Sequence, residues 1–387
     1  MNKNDVICSI ATRFKAATAA GALSSAVVSR GALMAATRTS MNVAAIAATL
    51  TLASTTLIGA ASITIGVAHA SSLIETSAAG QVAAAGQVAA VGQRSTLNPV
   101  ATAAEPTTQL VQHNAGQTEV SSPPATTAVL DLALLDVFHS LGIPVAAVPT
   151  GRYDGALAVF ANDSVLKVGS MFEPDLDALR ALNPDLIVAG RRSTKAFDSV
   201  AQVAPAVNLA FDQQNLVESV VQTTRTVAQL YGKQALADEK ITMLKESVER
   251  LRQTASGAGT GLLVFTTSGK VIAQSPASRF GVLFNDFGVQ SAITEFPEGR
   301  GVALTPELLQ SAQPDWLYVL DRDASLGRDE TPAQELLAQI GADQTPAGKN
   351  GRIVYLNPYN WYLLDAAGLG ALQDNVNQLL EALENAS

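Results

Sequence analysis

The first half of the globular sequence alternates short apolar runs with amphipathic segments. Three apolar runs, Ala128–Leu132, Pro144–Val148 and Leu186–Ala189, have the length of buried strands. Between them, Leu132–Leu141 and Leu176–Leu182 place apolar residues at helical spacing. Strands that alternate with helices predict a parallel sheet in an α/β domain.

A long helical stretch separates this half from a second one. It runs from about Leu216 to Thr254 with a break at Gly232, and its second part repeats apolar residues from Leu236 to Leu251. The α/β pattern then resumes with the predicted segments Leu262–Thr266, Phe280–Phe287, Pro306–Gln310, Trp316–Leu320, Ile353–Leu356 and Gly368–Leu383. We therefore predict two α/β halves with a helix between them.

The two halves also repeat one another. The stretch from Asp177 through Pro184-Asp185 to Arg191 resembles the stretch from Glu307 through Pro314-Asp315 to Arg322. In each, an acid precedes Pro-Asp by the same spacing, a strand follows, and an arginine ends the strand. Ligands of open α/β sheets bind beyond the carboxyl ends of strands, so the repeat predicts two lobes over a cleft.

Composition excludes several classes of protein. The 387 residues carry a formal net charge of −9, which argues against a nucleic-acid surface. The one cysteine, Cys8, excludes a disulfide framework and a cysteine zinc site. Three histidines leave little for a histidine metal centre, and there is no Gly-x-Ser-x-Gly nucleophile elbow. Enzyme classes that depend on clustered cysteine or histidine side chains are therefore excluded, and neither an enzymatic activity nor an intrinsic cofactor is expected.

Residues 1–70 are predicted to be a signal peptide. Five basic residues lie among Ala, Ser and Thr, and an uncharged apolar stretch from Val43 to Val67 follows. It ends in Ala68-His69-Ala70, the small-x-small pattern that a signal peptidase reads. The stretch is also long enough to span a membrane, but its Ala, Thr and Gly content favours export.

The sequence leaves the start of this leader open between Met1 and Met41. Cys8 precedes the apolar stretch, so it does not stand at a lipoprotein cleavage site. An exported, acidic chain without further cysteines fits the periplasm of a Gram-negative cell.

The remaining chain divides into four predicted segments. Residues 71–125 are rich in Ala, Gly, Gln, Thr and Pro and read as a low-complexity linker, with an edge strand near Leu110 and Val120. The N-terminal lobe is placed at residues 126–230, the interlobe helix at 231–256 and the C-terminal lobe at 257–387.

Three arginines are the candidate binding residues. Arg191 and Arg322 end predicted strands, and Arg279 opens Ser278-Arg279-Phe280-Gly281. A guanidinium is permanently charged and donates in a planar fork that suits chelated oxygens or carboxylates. Each arginine taken alone is equally explained by a surface position or a structural ion pair. Together, at loop positions facing one cleft in an acidic protein, they indicate an anionic ligand.

Trp361 and Tyr362 follow the predicted strand Ile353–Leu356. A phenol at a loop mouth can donate a hard oxygen to a trivalent metal, and the indole can pack against a chelate. Ordinary aromatic packing at the edge of the cleft explains the pair equally well.

From about Val111 to Leu383 the chain resembles the periplasmic binding proteins for iron siderophores, the catecholate-type group among the substrate-binding proteins of ABC importers. The stretches that carry the resemblance are Leu130–Asp136, Val168–Asp175, Pro184–Arg191, Ser278–Gly281, Val319–Arg322 and Tyr355–Leu363. The resemblance implies two α/β lobes joined by one long helix, with limited hinge motion.

The resemblance also implies roles for individual residues. Arg191, Arg279 and Arg322 would surround an anionic ferric chelate, with Trp361 at the chelate, and Tyr362 would supply a tyrosinate to iron. The histidine that completes iron coordination in some members would lie just before Gly301, where this chain has Arg300. Either the ligand is a complete hexadentate chelate with Arg300 as a further positive contact, or only Tyr362 touches the metal.

Two acids are implied to dock the permease of the importer, one on each lobe. Asp177 and Glu307 occupy those positions, and each acid equally stabilises the start of its own helix. The expected protein is thus a periplasmic monomer that binds a ferric siderophore and delivers it to an inner-membrane permease. The alternatives are the same fold binding haem or a corrinoid, and an exported hydrolase.

Overall fold

The computed structural model describes residues 107–297 and 299–386. Its strands are β1 (Thr107–His113), β2 (Gly116–Ser122), β3 (Thr127–Val129), β4 (Ala147–Val148), β5 (Leu166–Lys167), β6 (Leu186–Ala189), β7 (Ala206–Asn208), β8 (Thr260–Thr267), β9 (Lys270–Gln274), β10 (Gln290–Ser291), β11 (Gly301–Ala303), β12 (Trp316–Asp321) and β13 (Ile353–Tyr355). Its α-helices are α1 (Leu132–Ser140), α2 (Leu176–Leu182), α3 (Phe197–Ala201), α4 (Leu216–Tyr231), α5 (Gln234–Ser256), α6 (Val282–Asn285), α7 (Pro306–Ala312), α8 (Arg322–Ser325), α9 (Ala333–Gln339), α10 (Pro346–Lys349) and α11 (Leu369–Asn385).

The N-terminal lobe is built on a parallel five-stranded sheet in the order β5-β4-β3-β6-β7. Its central strands are short apolar runs, and every residue of β3 and β6 is buried. Burial on both faces is what such runs require, because helices cover a parallel sheet on both sides. The predicted parallel α/β lobe is present.

The C-terminal lobe is built on a mixed six-stranded sheet in the order β11-β9-β8-β12-β13, with β10 paired to the start of β8. Strands β8, β12 and β13 are parallel, whereas β9 and β11 are antiparallel to their neighbours. In both lobes, loops therefore follow the carboxyl ends of the central parallel strands. Ligands of open α/β sheets bind at such loops.

The sequence repeat corresponds to a structural repeat. Helix α2 leads through Pro184-Asp185 into β6, and α7 leads through Pro314-Asp315 into β12. The Asp185 carboxylate accepts the backbone N–H of Thr126 at 2.7 Å, and the Asp315 carboxylate accepts that of Thr260 at 2.8 Å. In each lobe the aspartate therefore fixes the start of the adjacent central strand.

Helices α5 and α11 join the two lobes. Helix α4 ends at Gly232, whose φ of 64° is a left-handed helix stop, and α5 then runs 23 residues with Ile241, Leu244, Val248 and Leu251 buried. The predicted break and interlobe helix are both present. Helix α11 packs on α5 and also on α1 of the N-terminal lobe.

The C-terminal lobe predicted at residues 257–387 includes the last helix, α11, which contacts both lobes. Helix α11 packs on α1 of the N-terminal lobe and on α5, and its Gln378 donates to the carbonyl of Tyr355 in β13. One continuous apolar cluster includes Val129 of β3, Leu320 of β12 and Leu383 of α11. Because the two lobes share this core, opening the cleft as two rigid bodies would expose apolar surface to water.

The predicted linker needs a correction at its end. Strands β1 and β2 form an antiparallel hairpin inside the segment 71–125, more than the single edge strand expected there. The hairpin is fixed to the N-terminal lobe because Asn114 N–H donates to the carbonyl of Asn208 and Thr118 Oγ1 donates to that of Ala206. Folded structure therefore begins by Thr107.

The predicted signal peptide, both candidate start residues, Cys8 and residues 71–106 lie outside the described residues. Within the described part, no helix has the length and apolar character needed to cross a membrane.

A buried carboxylate attaches the final helix to the N-terminal lobe. Asp136 of α1 is 2 % exposed and accepts the backbone N–H groups of Gly370 at 2.7 Å and Ala371 at 3.2 Å, in the first turn of α11. Gly368 precedes them with φ of 92°, and a Cβ there would lie 2.6 Å from the carboxylate. Burial raises the pKa of Asp136 from 3.8 to about 6, although the backbone donors oppose the rise.

We expect Asp136→Asn to change the pH dependence of stability. Because the folded pKa lies above the unfolded one, the folded state holds this proton more tightly, and stability falls as pH rises from 3.8 to about 6. The loss from this group is on the order of 3 kcal/mol. Asparagine keeps an acceptor for the helix but does not ionise. Urea unfolding across this range should show the wild type losing stability relative to the variant, and parallel pH profiles would contradict the assignment.

Candidate binding site between the lobes

A cleft of about 450 Å³ is lined by residues from both lobes. Arg191 follows β6 in the N-terminal lobe, while Arg279 and Arg300 precede α6 and β11 in the C-terminal lobe. The rest of the lining is polar amide, hydroxyl and aromatic: Gln213, Gln214, Gln274, Ser278, Phe265 and Phe280, with Ala277. The structure thus brings three of the predicted arginines into one cleft.

A second cavity, of about 350 Å³, lies at the carboxyl ends of β12 and β13. Its charged lining consists of Asp321, Asp323, Glu330 and Arg328. Three carboxylates against one guanidinium disfavour an anion, so the arginine-lined cleft is the candidate site.

The carboxylate of Asp365 is 4 % exposed and does not line the cleft itself, but it binds two of the arginines that do. Oδ2 accepts Nε and Nη2 of Arg191 at 2.9 and 2.7 Å. Oδ1 accepts Nη2 of Arg192 at 2.9 Å and Nη1 of Arg279 at 2.7 Å. Two of these guanidinium groups come from the N-terminal lobe and one from the C-terminal lobe. Asp365 therefore joins the lobes and orients the side chains that line the cleft.

The backbone that delivers this carboxylate is strained. Asp365 and Ala366 have φ of 55° and 59°, the left-handed region that costs a side-chain-bearing residue roughly 1–2 kcal/mol. The four charge-assisted hydrogen bonds to Asp365 offset that cost, since each is stronger than a neutral one.

Arg192 fixes the segment that carries the tyrosine. Its guanidinium is buried and donates Nη1 to the carbonyl of Leu363 at 2.9 Å and Nη2 to that of Tyr362 at 3.0 Å, besides its bond to Asp365. Asp131, the buried cap of α1, also lies within its field, and burial raises the pKa of Asp131 while Arg192 opposes the rise. Arg192 of the N-terminal lobe therefore fixes the backbone of Tyr362 through its carbonyl group.

Tyr362 lies on a π-helical turn, Tyr359–Leu363, among cationic groups. Its hydroxyl oxygen accepts Nε of Arg322 at 2.7 Å. The guanidinium carbon of Arg279 lies 4.5 Å from the centre of its ring, and that of Arg322 lies 5.4 Å away. These are cation–π distances, so the phenol and the two arginines form one positively charged wall.

The side-chain contacts of Arg322 lie within the C-terminal half of the chain. It donates Nη1 to Thr267 Oγ1 at 3.0 Å and lies 3.7 Å from the carboxylate of Asp323. Neither Arg322 nor Tyr362 is among the residues that line the cleft. Both lie behind the lining, and Tyr362 contacts the lining residues Arg279 and Phe265. Arg300, in contrast, is exposed at the cleft, and in the described part of the chain its side chain has neither a hydrogen bond nor an ion pair.

The structure contradicts the predicted ligand contact of Trp361. Its side chain is 0 % exposed, and its ring packs edge-on to Phe287 at 6.5 Å in the shared core. Adjacent residues on the π-helical turn point in different directions, so Tyr362 faces the arginines while Trp361 anchors the turn.

The described residues contain no group of three or more His, Cys, Asp or Glu side chains that could hold a metal ion. Both described histidines pack against phenylalanines of the N-terminal lobe, His113 on Phe197 and His139 on Phe160. Of the residues predicted to bind the ligand, Tyr362 alone offers a side-chain oxygen suited to a trivalent metal.

Residues 128–359 match the family described as Periplasmic binding protein. The chain belongs to that family. It is 27% identical over 271 residues to the petrobactin-binding protein YclQ of Bacillus subtilis, covering 69% of this chain and 85% of YclQ. It is also 27% identical over 265 residues to the ferric-anguibactin-binding protein FatB of Vibrio anguillarum, covering 67% of this chain and 82% of FatB.

Solved structures agree with the fold of this periplasmic binding protein. The crystal structure of YclQ aligns with a TM-score of 0.67 over 72% of this chain and 99% of YclQ. The periplasmic catecholate-siderophore binding protein VctP of Vibrio cholerae aligns with a TM-score of 0.64 at 27% identity, over 72% of this chain and all of VctP. The predicted family and two-lobed α/β fold are confirmed.

The two acids predicted to dock a permease occupy equivalent places in this binding protein. Asp177 and Glu307 are each the second residue of their helix, α2 and α7, and both are exposed. Asp177 pairs with Arg180 at 2.7 Å, whereas the pKa of Glu307 is lowered by a backbone N–H and by the Thr305 hydroxyl. The structure leaves both carboxylates accessible, and the docking role stays a prediction.

Sequence reasoning missed Asp365 and Arg192. A second arginine directly after Arg191 was the available signal, since two adjacent guanidinium groups at a strand end need a counter-charge. Nothing in the sequence indicated that Asp365, 174 residues away from Arg191, supplies it.

We expect Arg192→Ala to destabilise the protein by about 2–4 kcal/mol, because it leaves two buried carbonyl groups without donors and removes a buried ion pair. The matched control is Arg225→Ala, since Arg225 is 48% exposed and lies 3.9 Å from Asp238. That variant should change stability by less than about 1 kcal/mol. Urea unfolding measures both, and equal losses would contradict the role given to Arg192.

Proposed function

We propose that this protein binds a ferric siderophore of the catecholate type in the cleft between its lobes. The observation that carries the proposal is the arginine cluster of the cleft. Arg191 and Arg279 are held at fixed positions by Asp365, and Arg300 adds an exposed positive charge to the cleft lining. A ferric catecholate presents anionic oxygens that accept from such guanidinium edges.

The aromatic side chains of the cleft suit a ligand with aromatic rings. Phe265 lies 5.9 Å from Phe280 and 6.1 Å from Tyr362, measured between ring centres. Phe265 is a half-buried ring of this group and lines the cleft, so a planar catecholate ring can pack against it while the catecholate oxygens face the arginines. The names of YclQ, FatB and VctP, which describe proteins that bind siderophores, support the same ligand class.

The arginine at position 300 limits the ways in which the protein can bind the iron of the chelate. Where a member with a histidine would supply a metal ligand, this chain supplies a cation, which cannot coordinate iron. The protein therefore either takes a complete hexadentate chelate by electrostatics, or adds Tyr362 alone to an incomplete chelate.

Delivery to an ABC importer is part of the proposal. Membership of the Periplasmic binding protein family supports a periplasmic carrier that is not an enzyme. Asp177 and Glu307, one accessible acid per lobe, would face the permease, and one copy of the chain contains the whole cleft, which fits a monomer.

A fluorescence titration of the purified protein tests the proposed function. The chain has two tryptophans, Trp316 and Trp361, and Trp361 adjoins Tyr362. Ferric hexadentate tris-catecholate and ferric tetradentate bis-catecholate should each quench this fluorescence saturably if the proposal holds. With Tyr362→Phe, weaker binding of the tetradentate chelate alone would show that the phenol completes the iron coordination. No quenching with either chelate would refute the proposal.

We expect Arg279→Ala and Arg300→Ala each to weaken binding of the ferric tris-catecholate by about 1–3 kcal/mol, because each removes a charge-assisted contact. The matched control is Arg250→Ala, since Arg250 is 65% exposed and pairs with Glu384 on α11. The same titration should give that control the wild-type dissociation constant. Unchanged affinity in both cleft variants would place the ligand elsewhere.

A further inference from the structure

The arginines of the cleft already hold an anion that belongs to the protein. Asp365 takes both donors of one Arg191 edge and one donor of Arg279. Arg191 and Arg279 are two of the three arginines that line the cleft. A ligand oxygen approaching them therefore meets an internal carboxylate bonded to the same groups.

Burial strengthens the electrostatic repulsion between this carboxylate and an anionic ligand. With 4 % exposure, Asp365 is poorly screened by water, and its field reaches the cleft through Arg191 and Arg279. Two other buried acids lie near the site, and Asp131 also lies within the field of Arg192 and Asp365. Asp131 caps α1, and Asp323 accepts Ser268 N–H and lies beside Arg322 and Arg328.

The charge of the cleft follows from these contacts. Arg191, Arg279 and Arg300 line it with three positive charges, and the single negative charge of Asp365 is shared among Arg191, Arg279 and the buried Arg192. The charge of Arg322 is opposed locally by Asp323. The open face of the cleft therefore carries a smaller positive charge than its arginines suggest.

We infer that Asp365 is a specificity-determining residue, a fixed internal anion that restrains the preference of the cleft for highly charged ferric chelates and so admits chelates of low negative charge. This inference rests on the proposed function. Asp365 also orients Arg191 and Arg279. Loss of that orientation would weaken binding of a trianion more than that of a monoanion, whereas loss of the Asp365 charge favours the trianion, so the two effects have opposite signs.

The test compares two ferric chelates with the same donor groups and different charge. Iron with three catecholates is a trianion, and iron with two is a monoanion. Dissociation constants for both are measured by fluorescence titration in the wild type, in Asp365→Asn and in Asp238→Asn. Asp238 is the matched control, because it is an exposed carboxylate near Arg225, on helix α5 and away from the cleft.

We expect Asp365→Asn to shift the ratio of the two dissociation constants by about tenfold or more toward the trianion. Asp238→Asn should leave the ratio unchanged. Disordered arginines would instead shift the ratio toward the monoanion, because their attraction scales with the charge of the ligand, so a shift toward the trianion reports the lost charge of Asp365. Repeating the titrations at raised salt should shrink the shift, since it is electrostatic.

The remaining outcomes contradict either the role of Asp365 or the proposed function. If the wild type binds both chelates and Asp365→Asn leaves the ratio unchanged, or both variants shift it equally, Asp365 does not set the charge preference, while the proposed function stands. If the wild type binds neither chelate, the proposed function fails and the role of Asp365 falls with it.

A second pair of proteins serves for the test if Asp365→Asn alone does not fold. Ala366 has φ of 59°, and glycine adopts that backbone without strain. If Asp365→Asn is unstable alone, the same comparison is made in Ala366→Gly, with the single Ala366→Gly protein as the reference.

Discussion

The bonds between Asp365 and three arginines are the interaction on which the rest of the site depends. A carboxylate with 4 % exposure has lost its hydration, and only closely placed cations make that burial tolerable. Arg191, Arg192 and Arg279 supply them from both lobes, at 2.7 to 2.9 Å. Because each guanidinium is held by this one group, the spacing of the cleft walls and the direction of their free donors are set together.

The interlobe bonds act on a frame that already limits motion. Helices α5 and α11 lie across the lobes, one apolar cluster extends from β3 to β12, and Asp136 attaches the start of α11 to α1. Large opening would expose this core and separate Asp365 from either Arg191 or Arg279. The site is therefore largely formed before a ligand arrives, which reduces the ordering cost of binding.

Tyr362 shows how the two lobes combine on one side chain. Its backbone carbonyl is held by Arg192 of the N-terminal lobe, and its hydroxyl by Arg322 of the C-terminal lobe. The ring between these bonds stacks with Arg279. In the proposed function this wall binds an anionic chelate, and Asp365 moderates how much negative charge it accepts.

The sequence by itself determined the two α/β lobes, the long helix, the Pro-Asp repeat and the positions of Arg191 and Arg279 at loops, because apolar periodicity and strand-end spacing are local properties. Only the tertiary structure decided that Trp361 is core, that β1 and β2 form a packed hairpin, and that Asp365 is the counter-charge. Those facts depend on contacts between residues far apart in the chain, and no local pattern encodes which distant carboxylate meets which guanidinium.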